Sequence, residues 1–351
     1  AVSKNSAINT GYCEMKTVLV TGAGGFIGAH AVEHFAAEGF KVYALVHKNI
    51  CPRLKRLREE QKVSLLYGSI NAVPELQKQL RDLELNYFIH CAALASDVGW
   101  KVNFERTNFT AVKNTAAMCL RLNVERFVYI STTDVYGLKD FNNEDEDSLE
   151  PDPSAKNYYP LYKIKSEQWL REKIPASRFS IVRPAAVWGP GDYTLTPRIV
   201  DYLKSLPIVF HFGKWRGKNR WPLAHVKNVA KALYVAAVLP EAGGKAVNVL
   251  DNEYTTVSEF YHIVRDLYLP GRELREISLP AEVVYPAAWF SSFASTLLNL
   301  KKPLYDPSLY ALNTIRHNLD FSNRRLQQWL EAAGRKITTR SEGLFELKDD
   351  Q

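Results

Sequence analysis

The feature that most restricts this chain is an apolar β-branched run that breaks into glycines and restarts at once as a helix. Residues 16–21 (KTVLVT) form the run, and TGAGGFIG continues it. A short apolar run bounded by glycine is a buried parallel strand feeding a turn. The pattern over residues 26–38 is helical, and Gly39 ends it. Gly22, Gly25 and Gly28 recur at three-residue spacing between strand and helix. In such a loop the first glycine permits the tight turn, the second lets backbone approach a pyrophosphate, and the third allows close helix–strand packing. The helix start then offers free N–H groups to the anion. The chain is therefore built to hold a dinucleotide.

The alternation continues beyond the loop. Strands are predicted at residues 41–47, 63–67, 87–91, 126–131 and 180–183, separated by helices at 74–83, 105–122 and 161–173. Alternating strands and helices give an α/β fold, a Rossmann-type doubly wound parallel sheet. Right-handed crossovers put helices on both faces. After Pro184 the alternation weakens, and Pro, Gly and Trp crowd residues 188–222. A strand at 245–250 and a helix capped by Thr256 or Ser258 follow. The 351 residues suit two domains at about 150 residues each. They divide into a leader or expression remnant at 1–14, a dinucleotide-binding domain at 15–185 and 223–252, and a smaller mixed substrate-binding domain at 186–222 and 253–346.

A hydrophobic fraction of 46% with 24% charged residues excludes disordered and fibrous classes. The net charge of +7 arises partly from a basic run, Lys48, Arg53, Lys55, Arg56 and Arg58, which is a solvated helix face in its plainest reading. No nucleic-acid motif accompanies it, so no nucleic-acid partner is expected. Cys13, Cys51, Cys91 and Cys119 have no metal-ligand spacing. They are expected as reduced thiols of a cytoplasmic protein without a metal. Residues 279–300 are the most apolar stretch, but Pro280, Glu282 and Pro286 interrupt it. It falls short of the ~20 residues that span a bilayer. A core or substrate-covering helix is expected, with peripheral membrane contact as the secondary reading.

The end of the second strand, Leu45-Val46-His47-Lys48, lacks the carboxylate that binds ribose hydroxyls in NAD sites. His47 and Lys48, with Arg53, could meet a 2′-phosphate instead. NADP is therefore expected over NAD. Further on, NYYPLYKIKSEQ places Tyr159 and Lys163 one helical turn apart. An ammonium beside a phenol favours the phenolate and tunes it for acid–base work. Upstream, RFVYISTTDVYG is a strand ending in hydroxyl residues, one of which can hydrogen-bond a reacting oxygen.

Together these segments resemble the extended short-chain dehydrogenase/reductase family, within the NAD-dependent epimerase/dehydratase superfamily. IHCAALAS (89–96) and TNFTAVKN (107–114) resemble its cofactor-flanking strand end and central helix. The resemblance implies catalytic roles for Thr132, Tyr159 and Lys163. Besides the glycines, Tyr159, Lys163 and the residues named for the 2′-phosphate, it implies cofactor contacts at Phe26, Ile27, Ser69, Ile70, Cys91, Ala92, Ala93, Asn108, Ser131, Pro184 and Ala185. It implies substrate contacts at Ser96, Asp134, Val187, Asn219 and Trp221. Members acting on nucleotide sugars place asparagine where Ala186 stands and a diphosphate-binding arginine where Trp221 stands, although Arg220 lies one position away. Asn219, His225, Asn228 and the tail LDFSNRRLQQWLEAAG resemble the 3β-hydroxysteroid dehydrogenase branch. The implied activity is NADP-dependent interconversion of a secondary alcohol and a ketone on a lipophilic small-molecule substrate, steroid-like or β-keto-lipid, by a chain that pairs as a homodimer. The rivals are a nucleotide-sugar epimerase or dehydratase, for which Asp134 supplies half of an acidic pair, and a non-catalytic NADP-binding sensor.

Overall fold

A computed structural model describes residues 15–349 except Asn49 and Lys301. The leader expected over residues 1–14 lies outside the described residues. The first strand, β1 (Thr17–Thr21), is wholly buried. It leads through the glycines into α1 (Phe26–Ala37), then β2 (Lys41–Val46), α2 (Pro52–Glu59), β3 (Val63–Tyr67), α3 (Val73–Leu80) and β4 (Tyr87–His90). Arg53, Lys55, Arg56 and Arg58 of the basic run thus lie on α2, with Leu54 and Leu57 turned inward. Helix α4 (Lys101–Phe104) runs into a π turn over Glu105–Thr110 and then α5 (Ala111–Arg121). Next come β5 (Arg126–Ile130), α6 (Tyr158–Lys173) and β6 (Phe179–Pro184).

The second half supplies β7 (Ala186–Trp188), α7 (Thr196–Ser205), β8 (Ile208–Phe212), β9 (Leu223–His225), α8 (Val226–Val238) and β10 (Ala246–Val249). It closes with α9 (Val257–Tyr268), β11 (Arg275–Leu279), α10 (Ala281–Leu297), α11 (Leu309–Arg316), α12 (Arg324–Ala332) and α13 (Arg340–Asp349). Seven strands form one parallel sheet in the order β10-β6-β5-β4-β1-β2-β3. The chain order reverses between β1 and β4, and a crevice opens at the carboxyl ends of the strands beside such a switch.

Apolar side chains cover both faces of the sheet. Val32, Phe35, Leu233 and Ala236 pack on one side; Leu76, Val112, Ala116 and Leu170 pack on the other. Outside this sheet, β8 pairs with β11 and β7 with β9. Trp188, Leu203, Val209, Trp221, Phe260 and Val264 form a separate core around them. Helix α12 lies within the stretch assigned to substrate binding, yet its Leu326, Trp329 and Leu330 pack into the core of the main sheet.

Two boundaries move and a third is decided between its alternatives, each for a local reason. Helix α6 starts at Tyr158 because the Asn157 side chain accepts the Tyr159 N–H at 2.8 Å. Thr256, not Ser258, caps α9, in a capping box with Glu259. The helix predicted from residue 105 starts at Lys101 and widens into the π turn. Such a bulge re-aims a side chain; here Asn108 reaches back, accepting the Leu94 N–H at 2.7 Å and donating to the Leu94 carbonyl at 2.8 Å.

Candidate active site

The loops after β1 and β4 come together at the glycine turn, where the chain order of the sheet reverses. Gly22 has φ +65°, and a Cβ there would stand 2.8 Å from the Ala92 nitrogen. A Cβ on Gly28 would stand 2.1 Å from the Gly22 carbonyl oxygen. Neither position accepts a side chain. Gly25 caps α1 and donates its N–H to the Gly22 carbonyl at 2.9 Å. No side chain caps this helix, and its first turn, Phe26 and Ile27 onward, has no acidic residue. The N–H groups of the helix start are thus left for an anion, with the helix dipole behind them. The geometry fits a dinucleotide pyrophosphate. Above it stands Tyr193, unmarked by any motif, whose hydroxyl comes within 3.6 Å of the Gly25 Cβ position. Its ring meets Phe26 edge-on at 6.5 Å.

On the outer side of the crevice, β2 ends at Val46, with His47 and Lys48 exposed beyond it. Arg53 has a partner of its own. Together with Arg56 it ion-pairs with Glu33 of α1, so its charge is already answered. Ser69 follows β3 and accepts the Asn71 N–H at 3.2 Å, and Ile70 beside it is buried. Cys91, Ala92 and Ala93 leave β4. The Ala92 N–H donates to Thr21 Oγ1 at 3.2 Å, and burial pushes the Cys91 thiol up to about 12. Ser131 leaves β5 with its N–H on the Val182 carbonyl at 2.7 Å. Pro184 ends β6, and the Ala185 N–H reaches the Val249 carbonyl at 3.1 Å.

The predicted trio gathers where β5 ends. Thr132 is buried, and its Oγ accepts the Asp134 N–H at 3.2 Å, leaving the hydroxyl proton to donate. Lys163 is buried on α6; its Nζ donates to the Ile130 carbonyl at 2.7 Å and lies 4.8 Å from the Tyr129 ring centre and 5.7 Å from that of Tyr159. Desolvation lowers the Lys163 ammonium to about 7. Tyr159 departs from the expectation that Lys163 depresses its phenol. Burial pushes that phenol above its usual value, and the nearby Asp134 charge adds to the rise. A lysine itself driven towards neutrality exerts too little field to offset burial.

Tyr310 was not marked by the sequence. It comes from α11, and its hydroxyl donates to Asp134 Oδ2. Burial raises the Asp134 carboxyl. Tyr310 also lines an open cavity of about 340 Å³ whose walls include Leu195, Ile199, Phe210, Phe212, Trp221 and Ile315. The charged residues on its lining answer one another. Arg198 Nη2 lies 3.0 Å from Asp97 Oδ2 and also pairs with Asp306, while Ser308 Oγ donates to Asp97 Oδ2 at 2.7 Å. Asn157 Nδ2, at the start of the helix that carries Tyr159, donates to the Asp97 carbonyl at 2.9 Å.

The expected substrate residues part company. Trp221 stands on the cavity wall, edge-on to Phe260 at 5.3 Å. Ser96 adjoins Asp97 and donates to the Val98 carbonyl at 2.7 Å. Val187 is half-buried in β7. Asn219 does not face the cavity as expected; it is buried, and its amide donates to the carbonyls of Ile315 at 3.0 Å and His317 at 2.7 Å, tying down the end of α11. Arg220 turns to an ion pair with Asp320. His225 is buried against Trp188, and Asn228 donates to Asp251 Oδ1 at 3.0 Å.

Residues 18–249 match the NAD dependent epimerase/dehydratase family. A human sterol-4-alpha-carboxylate 3-dehydrogenase, decarboxylating, is 26% identical over 68% of this chain and 63% of its own length. The chain thus spans somewhat under two thirds of that relative. A 2-alkyl-3-oxoalkanoate reductase of Shewanella oneidensis is 25% identical over 74% of this chain and 68% of its own length. Among solved structures, a UDP-glucose 4-epimerase of Thermotoga maritima superposes with a TM-score of 0.70 at 18% identity, covering 95% of this chain and 98% of that one. At that identity the likeness shows the shared fold alone.

Proposed function

Since this chain belongs to the NAD dependent epimerase/dehydratase family and is an NAD(P)-dependent extended short-chain dehydrogenase/reductase, we propose that it interconverts a secondary alcohol and a ketone on a lipophilic substrate, with NADP as its cofactor. The observation that carries the reading is an apolar cavity opening beside a group in which Thr132 and Lys163 are buried and Tyr159 is half-buried. Tyr310 links the two, lining the cavity while bonding Asp134.

When bound, the dinucleotide supplies the hydride that reduces the carbonyl carbon. Gly22, Gly25 and the start of α1 hold its pyrophosphate, and His47 and Lys48 meet the 2′-phosphate. Thr132 Oγ donates a hydrogen bond to the carbonyl oxygen. Tyr159, kept protonated by burial, gives that oxygen its proton. A charged Lys163 steadies the phenolate that remains, and the reverse sequence oxidises the alcohol. The lipophilic cavity suits the substrate classes in the relatives' names, a sterol carboxylate and a 3-oxoalkanoate. Trp221 on its wall, with Arg220 taken up by Asp320, removes the cation a nucleotide diphosphate would need there.

The test pairs NADPH and NADH consumption with 3-ketosteroids, 2-alkyl-3-oxoalkanoates and nucleotide sugars. Turnover on one of the first two classes, preferring NADPH, is expected. Tyr159→Phe should lower it by about a hundredfold or more. Turnover or thermal stabilisation confined to nucleotide sugars would sink this reading in favour of an epimerase or dehydratase. Tight NADP binding with no turnover on any panel member would leave a sensor.

A further inference from the structure

Helix α10 is built inside out. Its buried positions are the small residues Ala281, Ala288, Ser291 and Ser295. Most of its large side chains point to water, with Trp289 54% exposed, Phe290 58%, Phe293 53% and Leu297 67%, while Val284 and Tyr285 are half-buried against Phe212 and Leu312. A helix resting on a globular core in water does the opposite. The serines are satisfied internally. Ser291 Oγ donates to the Tyr305 carbonyl and accepts its N–H, both at 2.9 Å, while Ser295 Oγ accepts the Leu304 N–H at 2.9 Å. This lacing holds Leu304 and Tyr305 beside the helix, exposed like its aromatic residues. Trp289 and Phe293 stack on each other at 5.2 Å, which covers one face of each ring.

We propose that this face seats the protein on a lipid surface bearing anionic headgroups. Contiguous exposed apolar patches of this kind mark sites that a partner covers, and three observations favour lipid as the cover. Trp, Phe, Leu and Tyr make up the face, the residues that enter the headgroup–acyl boundary. The charge is complementary: Lys301 and Lys302 follow the helix in sequence, its only acid is Glu282 in the first turn, and the chain carries +7. Basic residues beside such a face are drawn to anionic lipid, whereas two copies of so basic a chain repel. The face also adjoins the substrate cavity, because Tyr305 leads directly to Asp306 and Pro307 on the cavity lining. The helix lies on the bilayer and does not cross it. It has 17 residues with Pro286 inside, and among the described residues no helix is long and apolar enough to span a membrane.

The test is co-sedimentation of the full chain with vesicles of phosphatidylcholine alone and of phosphatidylcholine mixed with phosphatidylglycerol. Binding to the mixed vesicles, weakened by salt, is the expected result. A Trp289→Ser/Phe293→Ser variant should bind them about tenfold more weakly, with an unchanged melting temperature and unchanged stabilisation by NADP(H). Brominated lipid should quench the parent's fluorescence but quench Trp289→Phe less. No sedimentation, or equal sedimentation of the double variant, would overturn the proposal. So would a parent that is dimeric in solution and becomes monomeric on the double substitution without ever binding vesicles, since a second copy would then be the cover.

Discussion

Lys163 is the residue whose state decides most at the site. Its ammonium donates to the Ile130 carbonyl, and desolvation brings it to about 7. Tyr159 keeps its proton well beyond that range. On the proposed function, only a charged Lys163 can steady the phenolate left after proton transfer. Charge is present below the lysine's pKa and lost as pH rises through it. Reductive kcat/KM should therefore fall as pH rises through about 7, with the limb following one proton. Lys163→Arg keeps its charge throughout and should remove that limb even if overall activity drops. A profile unchanged in the variant would show that another group titrates there.

At the scale of elements, α6 must be held in register for Tyr159 and Lys163 to meet Thr132. Its inner face does so with Glu167, which bonds through both carboxylate oxygens to Arg183 of β6. Arg183 also donates to the Tyr136 hydroxyl at 2.6 Å, and that hydroxyl donates to Asn248 Oδ1 on β10 at 2.8 Å. One buried network thus fixes α6 across β6 and β10. Arg183→Met leaves the Glu167 carboxylate buried without its cation and should cost about 3–5 kcal/mol, read by urea unfolding. Adding Glu167→Met should recover much of that loss, because a matched apolar pair leaves no charge stranded. A double variant as unstable as the single would show that packing, not charge, supplies the stability.

For the whole molecule, burial sets the response to acid. His30 and His90 are driven down to about 3, and His34 and His225 to about 4, each chiefly by desolvation. In the unfolded chain these histidines take up protons near pH 6.5. Their neutral, folded form is therefore stable above that pH and loses ground as pH falls below it. Asp251, raised to about 6 by burial, acts in the opposite sense, since the folded state binds its proton first. Asp134, Glu146 and Asp320 are raised as well and act with Asp251, but each of the four histidines takes up nearly a full proton on unfolding across this range, so the melting temperature should fall between about pH 7 and pH 5. A flat melting temperature over that range would contradict this balance.

The main sheet and phosphate loop were legible in the sequence because their signals are local. A buried parallel strand must be apolar along its length, as TVLVT is. A loop with a Cβ-intolerant contact at Gly28 must carry glycine. Tyr159 and Lys163 share a helical turn, so their pairing needed only a periodicity. The partners of Arg53 and Asn219, Glu33 on one hand and the Ile315 and His317 carbonyls on the other, were not legible because they come from other elements. Tyr310 was missed for the same reason: it meets Asp134 across 176 positions of sequence. Residue types and short spacings determined the α/β fold and where acid–base chemistry could reside. Packing decided the rest: which cations are already paired, how far each proton is held from water, and which way α10 turns its aromatic face. Desolvation and charge pairing depend on neighbours brought together only when the chain folds.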